Sequence, residues 1–405
     1  MKYHYDKKLL KSLGVGAFLG QVKLREKMIA AADDKPPVSI YNANILAKKL
    51  HPNVQHAVVS EVIDHAAAGA KSFVLVPDKE AGTQQLAYFR AGQYVSLALD
   101  IGAAKLNKPY TIRSGPKDAL DGSYTLTVKR NAVGYASDFI LDTWKVGTKV
   151  RLSGPLGEFY HQELRDAKHV VALAGGSGVT PFYSMAAAIA DGIEDFTLTI
   201  LYGSRTYDTI LLREELEAVA ARANGRVKLV HVLSDETREG CETGFLTAEL
   251  IKKYAPAGDY SVYVCGPKAM YRFMDTELPK LGLKARRVRL EVPGEYGDPS
   301  GDAAYPAAAK GKTFTITVSI RGEKQSVPCR ADETLLHAME TAGIRAPSHC
   351  RSGECGWCHS RLVSGEVYIP DDHDGRRLAD KKFGWVHPCR TYPLGDVELD
   401  VPTLL

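Results

Sequence analysis

The sequence predicts a multidomain protein with an antiparallel β-barrel or sandwich, a parallel α/β sheet and a C-terminal domain that carries a cysteine cluster. A chain of 405 residues is too long for one hydrophobic core. Short alternating apolar runs give way, near residue 166, to strand-like runs that alternate with helical stretches, and four cysteines cluster near the C-terminus. The expected divisions are an N-terminal extension at 1–51, the barrel at 52–165, the α/β domain at 166–292, a linker at 293–311 and the last domain at 312–405.

Composition and charge narrow the class of protein. Hydrophobic residues make up 45% of the chain and charged residues 25%, as in ordinary globular proteins. The sequence has no run of 18 apolar residues and no signal-peptide pattern, so we expect no transmembrane segment. The formal net charge of +4 is modest, and nothing in the sequence indicates a nucleic-acid partner.

The N-terminal extension is the basic part of the chain. Residues 1–50 hold ten Lys or Arg against four Asp or Glu. A basic helical extension is typical of a segment that contacts a partner or an anionic membrane surface. The alternative is a solvated helix packed on the next domain.

The elements of the first two domains follow from their apolar patterns. Alternating runs begin at His56, Ser72, Tyr94, Tyr124 and Lys149 and are broken by Gly and Pro, which predicts an antiparallel barrel or sandwich. From residue 170 the pattern becomes βαβ. Its strands begin at Val170, Thr197, Val227 and Tyr260, and its helices are expected at 181–190, 213–223 and 268–278. This alternation predicts a parallel nucleotide-binding sheet.

The last domain begins and ends with strand-like runs, and between them lies the spacing C-x4-C-x2-C-x30-C. The four residues are Cys350, Cys355, Cys358 and Cys389. This is the plant-type ferredoxin spacing, in which four thiolates hold a [2Fe–2S] cluster. Gly353 and Gly356 would let the loop backbone curl around the cluster and direct N–H groups at it.

Two other uses of these cysteines fit less well. A structural zinc site usually has two short Cys pairs, which the C-x4-C step does not match. A C-x2-C dithiol would leave Cys350 and Cys389 without a role. Three further cysteines, Cys241, Cys265 and Cys329, have no framework spacing, so we expect no disulfides and a reducing, cytoplasmic location.

Two glycine-containing turns lie in the α/β region. The first joins a hydrophobic strand to a helix and contains Gly175, Gly176, Gly178 and Thr180. Glycines there allow close approach of a pyrophosphate, and the helix N-terminus offers free N–H groups. Such a turn can also serve only close packing. The second turn, which also leaves a strand and enters a helix, contains Cys265, Gly266 and Pro267.

This pair of turns resembles the nicotinamide domain of the ferredoxin–NADP reductase superfamily. The segment Lys108-Pro109-Tyr110-Thr111 resembles the family's R-x-Y-[S/T] flavin motif, and the segment from Gly134 to Ser137 resembles the turn that holds the flavin phosphates. The resemblance covers roughly residues 52–405. It implies an antiparallel β-barrel flavin domain, an α/β parallel-sheet nicotinamide domain and an α+β β-grasp ferredoxin domain. This order resembles one-component reductases of the phthalate dioxygenase reductase and phenylacetyl-CoA epoxidase reductase type.

The resemblance implies roles for individual flavin-domain residues. Tyr110 would cover one face of the isoalloxazine, and Thr111 would hydrogen-bond the ring near N5. The alternative for Tyr110 is an ordinary sheet tyrosine. Lys108 replaces the family's arginine, and a lysine neutralises a phosphate without binding it bidentately. Gly134 and Ser137 suit a second phosphate, which favours FAD over FMN.

Nicotinamide contacts are implied in the same way. Thr180 and Cys265 would border the nicotinamide, so Cys265 joins Tyr110 and Thr111 as a catalytic candidate, although it could instead be a buried packing thiol. Asp235 stands where members that use NADPH have arginine, and a carboxylate repels a 2′-phosphate. Arg205 points the other way, because arginine suits a phosphate. We therefore expect NADH, with NADPH as the alternative.

The predicted function is an NADH-dependent electron-transfer reductase. NADH delivers two electrons as hydride, a flavin can release them singly, and a [2Fe–2S] cluster carries each one outward. The acceptor would be an external metalloprotein such as an oxygenase, a hybrid-cluster protein or a desaturase. Alternatives are ferredoxin:NAD⁺ reduction, direct reduction of a small molecule and a redox-sensing regulatory protein.

Overall fold

The computed structural model describes residues 15–31, 42–131, 134–291, 294–295, 297–371 and 374–402. By its contacts the chain forms two units, Met1–Lys48 and Lys49–Leu405. Helix α1 spans Val15–Ala30 and helix α2 spans Asn42–Leu50. Among the described residues, no helix combines the length and the apolar character that crossing a bilayer requires.

The first domain of the larger unit is an antiparallel sheet of six strands that curls on itself. The strand order is β4-β3-β6-β1-β2-β5, and a bridge between Ile112 and Leu126 joins the two edge strands. This confirms the predicted barrel. Its elements are β1 Gln55–His65, β2 Ala70–Pro77, β3 Tyr94–Ile101, β4 Ala104–Thr111, α3 Pro116–Leu120, β5 Tyr124–Lys129, α4 Tyr135–Thr143 and β6 Lys149–Leu152.

The second domain is the predicted parallel sheet, with strand order β10-β9-β8-β7-β11-β12. Its central strand β7 is apolar throughout because helices cover both faces, and Val170 and Leu173 are fully buried. The elements are β7 His169–Gly175, α5 Thr180–Ala190, β8 Thr197–Ser204, α6 Arg213–Arg222, β9 Val227–Leu233, β10 Glu242–Thr243, α7 Ala248–Tyr254, β11 Ser261–Cys265, α8 Lys268–Glu277 and β12 Val288–Leu290.

The strand order of this sheet predicts where a ligand binds. Chain order runs outward from β7 to β10 on one side and restarts at β11 on the other. In open parallel sheets, ligands bind at the carboxyl ends of the strands where the order reverses. Both glycine-containing turns follow the strands at this point, one after β7 and one after β11.

The third domain is a mixed five-stranded sheet, in the order β14-β13-β19-β15-β17, with a short β16–β18 pair. Strands β13 and β19 are parallel, and Leu335, Leu336 and Met339 of α9 enter the core. This confirms the α+β prediction. The elements are β13 Thr313–Ile320, β14 Glu323–Arg330, α9 Leu335–Thr341, β15 Ser360–Ser364, β16 Val367–Tyr368, α10 Leu378–Lys382, β17 Trp385–Val386, β18 Tyr392–Pro393 and β19 Val397–Asp400.

Part of the predicted linker packs on this third domain. Tyr305 is 4% exposed and lies in a small apolar cluster with Ala309 and Ala331. Its hydroxyl donates to the Ala331 carbonyl at 2.9 Å. The end of the linker is therefore ordered, while the domain boundaries stay a prediction.

Candidate active site

The four predicted cluster ligands lie together as two pairs. The amides of Cys355 and Ser352 donate to Cys350 Sγ at 3.4 and 3.5 Å. A hydrogen bond between the two thiols lowers the pKa of Cys350 and raises that of Cys355, so the two sulfurs share one proton until a metal replaces it. In the second pair, Cys358 Sγ lies 3.4 Å from Cys389 Sγ.

This pairing fits a two-iron cluster. A tetrahedral zinc site requires four ligands around one point, whereas two irons share four thiolates between them. The donor set therefore favours the [2Fe–2S] prediction over the zinc alternative.

The glycines of the cysteine loop have left-handed backbone conformations. Gly353 has φ of 88° and Gly356 has φ of 70°. A Cβ at Gly353 would lie 2.7 Å from Arg390 Cδ. The positive φ and the contact with Arg390 both require glycine at position 353. The predicted close approach of the loop backbone to the cluster is a third reason.

A cavity of about 650 Å³ opens at the reversal point of the parallel sheet. Gly175, Gly176 and Pro267 line it, as the two turns predict. It is the size of a small-molecule pocket. Several other wall residues, among them Lys129, Phe245, Met270 and Phe273, carry no sequence motif that predicts them.

The two turns touch each other directly. A Cβ at Gly178 would collide with the Cys265 carbonyl, and one at Gly175 would lie 2.8 Å from Pro267 Cδ. Thr180 is 6% exposed, and its hydroxyl donates to the Ser177 carbonyl at 3.0 Å. Close packing therefore explains these glycines, and the same packing brings the α5 N-terminus to the cavity.

Cys265 ends β11 next to a carboxylate that the sequence reasoning missed. Burial raises the pKa of the Cys265 thiol well above its usual value, and Glu291 raises it further. The Glu291 amide donates to the Val264 carbonyl at 2.8 Å, which fixes this residue beside the second turn. Burial, with Glu354 nearby, raises the pKa of Glu291 to about 8. No local pattern marks Glu291.

The predicted flavin motif lies on β4. Tyr110 pairs with Val95 and Thr111 with Tyr94 across the sheet. Tyr110 packs on the barrel core, and burial raises the pKa of its hydroxyl, which stays neutral. Burial also raises the pKa of Tyr94, and the thiols of Cys350 and Cys355 raise it further. Arg351 of the cysteine loop donates to the Asn107 carbonyl on β4 at 3.0 Å, so the motif strand and the cysteine loop are neighbours.

The predicted phosphate turn contains a buried hydroxyl that no protein group satisfies. Ser137 is 7% exposed on the first turn of α4, and its Oγ has no hydrogen-bond partner within the described ranges. A Cβ at Gly134, the residue before the helix, would collide with this Oγ. An unsatisfied hydroxyl beside a glycine at a helix N-terminus fits a phosphate oxygen.

Two of the predicted binding residues pair with other side chains. Lys108 Nζ lies 2.8 Å from Glu295 Oε1. Asp235 and Arg205, expected to favour different nucleotides, form an exposed ion pair beside Ser234, which lines the cavity.

Comparison with known proteins gives a match for each domain. The oxidoreductase FAD-binding domain matches residues 72–161, and the oxidoreductase NAD-binding domain matches residues 172–276. The 2Fe-2S iron-sulfur cluster binding domain matches residues 318–394.

Curated relatives match this chain over most of their own length. The ferredoxin reductase component of 3-ketosteroid-9-alpha-monooxygenase from Mycobacterium tuberculosis is 28% identical over 86% of this chain and 95% of its own. The glycine betaine monooxygenase reductase subunit from Chromohalobacter salexigens is 26% identical, over 78% of this chain and 88% of its own. An NADH oxidoreductase from Escherichia coli is 29% identical, over 77% and 88%.

A solved structure has the same arrangement. Phthalate dioxygenase reductase matches with a TM-score of 0.61 and 26% identity, over 86% of this chain and 98% of its own. Its structure is described as modular, for electron transfer from pyridine nucleotides to [2Fe–2S]. The chain therefore belongs to the ferredoxin–NADP reductase superfamily and is a three-domain electron-transfer reductase that uses NADH, FAD and a [2Fe–2S] cluster.

Proposed function

We propose that this reductase supplies electrons to an oxygenase. The observation that carries the proposal is that one chain brings its three parts together at the flavin-motif strand. Arg351 of the cysteine loop donates to the Asn107 carbonyl of this strand at 3.0 Å, and Glu295, which follows the nicotinamide domain, accepts from Lys108 at 2.8 Å. Relatives named as reductase components of monooxygenases match over most of their length, which supports an oxygenase as the acceptor.

The flavin-domain residues would hold and orient FAD. When bound, FAD accepts hydride from NADH and passes the electrons on singly. We assign Tyr110 to one face of the isoalloxazine, where its neutral hydroxyl and ring exclude water, and Thr111 to a hydrogen bond near N5. Gly134 and Ser137 would bind a phosphate of FAD, and the unsatisfied Ser137 hydroxyl supports this role.

The nicotinamide-domain residues would bind NADH across the cavity. Gly175, Gly176 and Gly178 leave room for the pyrophosphate at the α5 N-terminus. Thr180, Cys265, Gly266 and Pro267 would border the nicotinamide. Cys265 would do so as a neutral thiol, because burial raises its pKa. Asp235 would stand near the adenosine ribose and disfavour a 2′-phosphate.

We also propose a cytoplasmic location and a contact role for the N-terminal extension. None of the seven cysteines forms a disulfide, which supports a reducing compartment. Helix α1 exposes Leu24, Met28 and Ile29 on a segment that also carries Lys23 and Lys27, and this supports contact with a partner or an anionic membrane surface.

The oxygenase proposal is tested by reconstitution. Purified holoprotein and NADH are mixed with an oxygenase component, a hybrid-cluster protein or a desaturase, and reduction of each acceptor is followed spectroscopically. We expect the oxygenase to be reduced and to turn over its substrate. Preferential reduction of either other acceptor would refute the oxygenase assignment while leaving the reductase activity intact. The matched control is Cys355→Ser, which should abolish transfer to all three proteins.

A further inference from the structure

Lys108 lies in the flavin motif, but its ammonium group pairs with a carboxylate of the segment that follows the nicotinamide domain. Glu295 follows the nicotinamide domain, and its Oε1 accepts from Lys108 Nζ at 2.8 Å. The same oxygen accepts a hydrogen bond from Arg351 Nε. Arg351 directly follows the cluster ligand Cys350. One carboxylate therefore joins the barrel to the cysteine loop.

Arg351 makes further contacts that complete this connection. Its Nη1 donates to Glu340 Oε1 at 2.6 Å and to the Asn107 carbonyl at 3.0 Å. Glu340 belongs to α9 and is fully buried, and its Oε1 also accepts from the Asn107 amide at 3.3 Å. Asn107 and Lys108 are adjacent on β4. Strand β4 thus contacts both the cysteine loop, through Arg351, and helix α9, through Glu340.

The connected charges balance each other. The group, here called the domain clamp, consists of Lys108, Glu295, Arg351 and Glu340. Burial acts to raise the pKa of Glu295, but Arg351 and Lys108 hold it well below its usual range. Arg351 is 2% exposed and has φ of 61°, a conformation that non-glycine residues seldom adopt. A buried, charge-balanced group on a strained backbone is better suited to fixing geometry than to adding stability.

We propose that the domain clamp positions the cysteine loop against the flavin-motif strand, so that the residues that would hold the cluster are fixed beside those that would hold the flavin. Lys108 is then the barrel side of an interdomain contact rather than a ligand of a flavin phosphate. The proposal rests on the electron order of the reductase. Electron transfer slows steeply with separation, so loosening the clamp slows the flavin-to-cluster step and spares hydride transfer from NADH.

The test uses the holoprotein with Glu295→Gln, which removes the carboxylate that Lys108 and Arg351 share. In stopped-flow measurements with NADH, we expect flavin reduction to stay at the wild-type rate. We expect cluster reduction to slow about tenfold or more. A second readout is independent of activity: the chain between the nicotinamide and ferredoxin domains should be cleaved faster by protease, and small-angle scattering should show a larger particle.

A matched control is available at the same interface. Arg345 pairs with Asp100 at 2.5 Å, also between the third domain and the barrel, but both side chains are exposed. Arg345→Ala should leave both rates and the cleavage pattern unchanged. Glu295→Asp, which keeps the charge, should restore part of the cluster-reduction rate.

The possible outcomes distinguish a failure of the clamp proposal from a failure of the reductase function. If Glu295→Gln releases FAD or slows flavin reduction while the flavin-to-cluster rate is kept, the carboxylate serves the flavin site and the proposal fails. Unchanged rates also overturn it. If that variant does not fold, Glu340→Gln tests the same connection with an amide of nearly the same size. If NADH does not reduce the cluster of the wild type, the reductase function fails, not the clamp.

Discussion

The carboxylate of Asp235 and the guanidinium of Arg205 lie 3.5 Å apart beside the nicotinamide cavity. Both residues follow neighbouring strands, β8 and β9, and the Asp235 amide donates to the Arg205 carbonyl at 3.0 Å. The pair is exposed, so its own contribution to stability is small. In the proposed nucleotide site its role would be electrostatic, because Asp235 would pair with the cation that a 2′-phosphate needs.

Removing this carboxylate should relax the nucleotide preference. For Asp235→Ala, we expect kcat/KM for NADPH to rise relative to NADH by about tenfold, which corresponds to about 1.4 kcal/mol. Arg205→Ala is the control, and it should lower the residual use of NADPH. Initial rates with both nucleotides decide the matter, and a wild type that prefers NADPH would contradict the assignment.

Replacing Cys355 should separate flavin reduction by NADH from electron transfer through the cluster. In Cys355→Ser, we expect the visible absorbance of the cluster to be lost, while NADH still reduces the flavin. Ferricyanide reduction should survive and cytochrome c reduction should fall, because the cluster lies after hydride transfer. Cys241→Ser, a cysteine of the nicotinamide domain, is the control. Loss of ferricyanide reduction with flavin still bound would show that the electron order is different.

The sequence allowed the strands of the barrel and the parallel sheet to be predicted because their apolar periodicity is strong. It did not predict β4, although this strand carries the flavin motif. The alternation begins at Ala104 and Leu106 but is broken by Lys108 and Pro109, and a proline is tolerated there because β4 is an edge strand in the sheet order.

Contacts between domains could not be predicted in the same way. The partner of Lys108 lies 187 residues away, at Glu295, and that of Glu295 lies a further 56 residues along, at Arg351. Nothing in the local sequence of any of the three residues indicates such a contact. The sequence therefore identified the cofactor motifs but not the ion pairs that hold them together.

Removing the ring of Tyr110 should weaken flavin retention. Stacking is worth about 0.5–1.5 kcal/mol beyond area burial, so we expect the flavin dissociation constant of Tyr110→Ala to rise about twofold to tenfold from this effect alone. Tyr110→Phe keeps the ring and should retain flavin. The cofactor released by heat should chromatograph as FAD, and recovery of FMN alone would contradict the role given to Ser137.

The stability of the protein at alkaline pH should depend on Glu291. Because the pKa of Glu291 is raised to about 8, the folded protein keeps a proton there that the unfolded chain loses near pH 4.5. Folding stability should therefore fall as pH rises from about 4.5 to about 8, by up to ~1.4 kcal/mol per pH unit from this residue, and then level off.

Glu291→Gln cannot ionise, so its Tm should exceed that of the wild type at pH 8 to 9 and match it near pH 5. Glu354→Gln is the control, because it removes a neighbouring charge and leaves Glu291 titratable, so only part of the difference should appear. A Glu291→Gln protein whose Tm follows the wild-type profile in parallel from pH 5 to pH 9 would show that Glu291 is ionised at neutral pH.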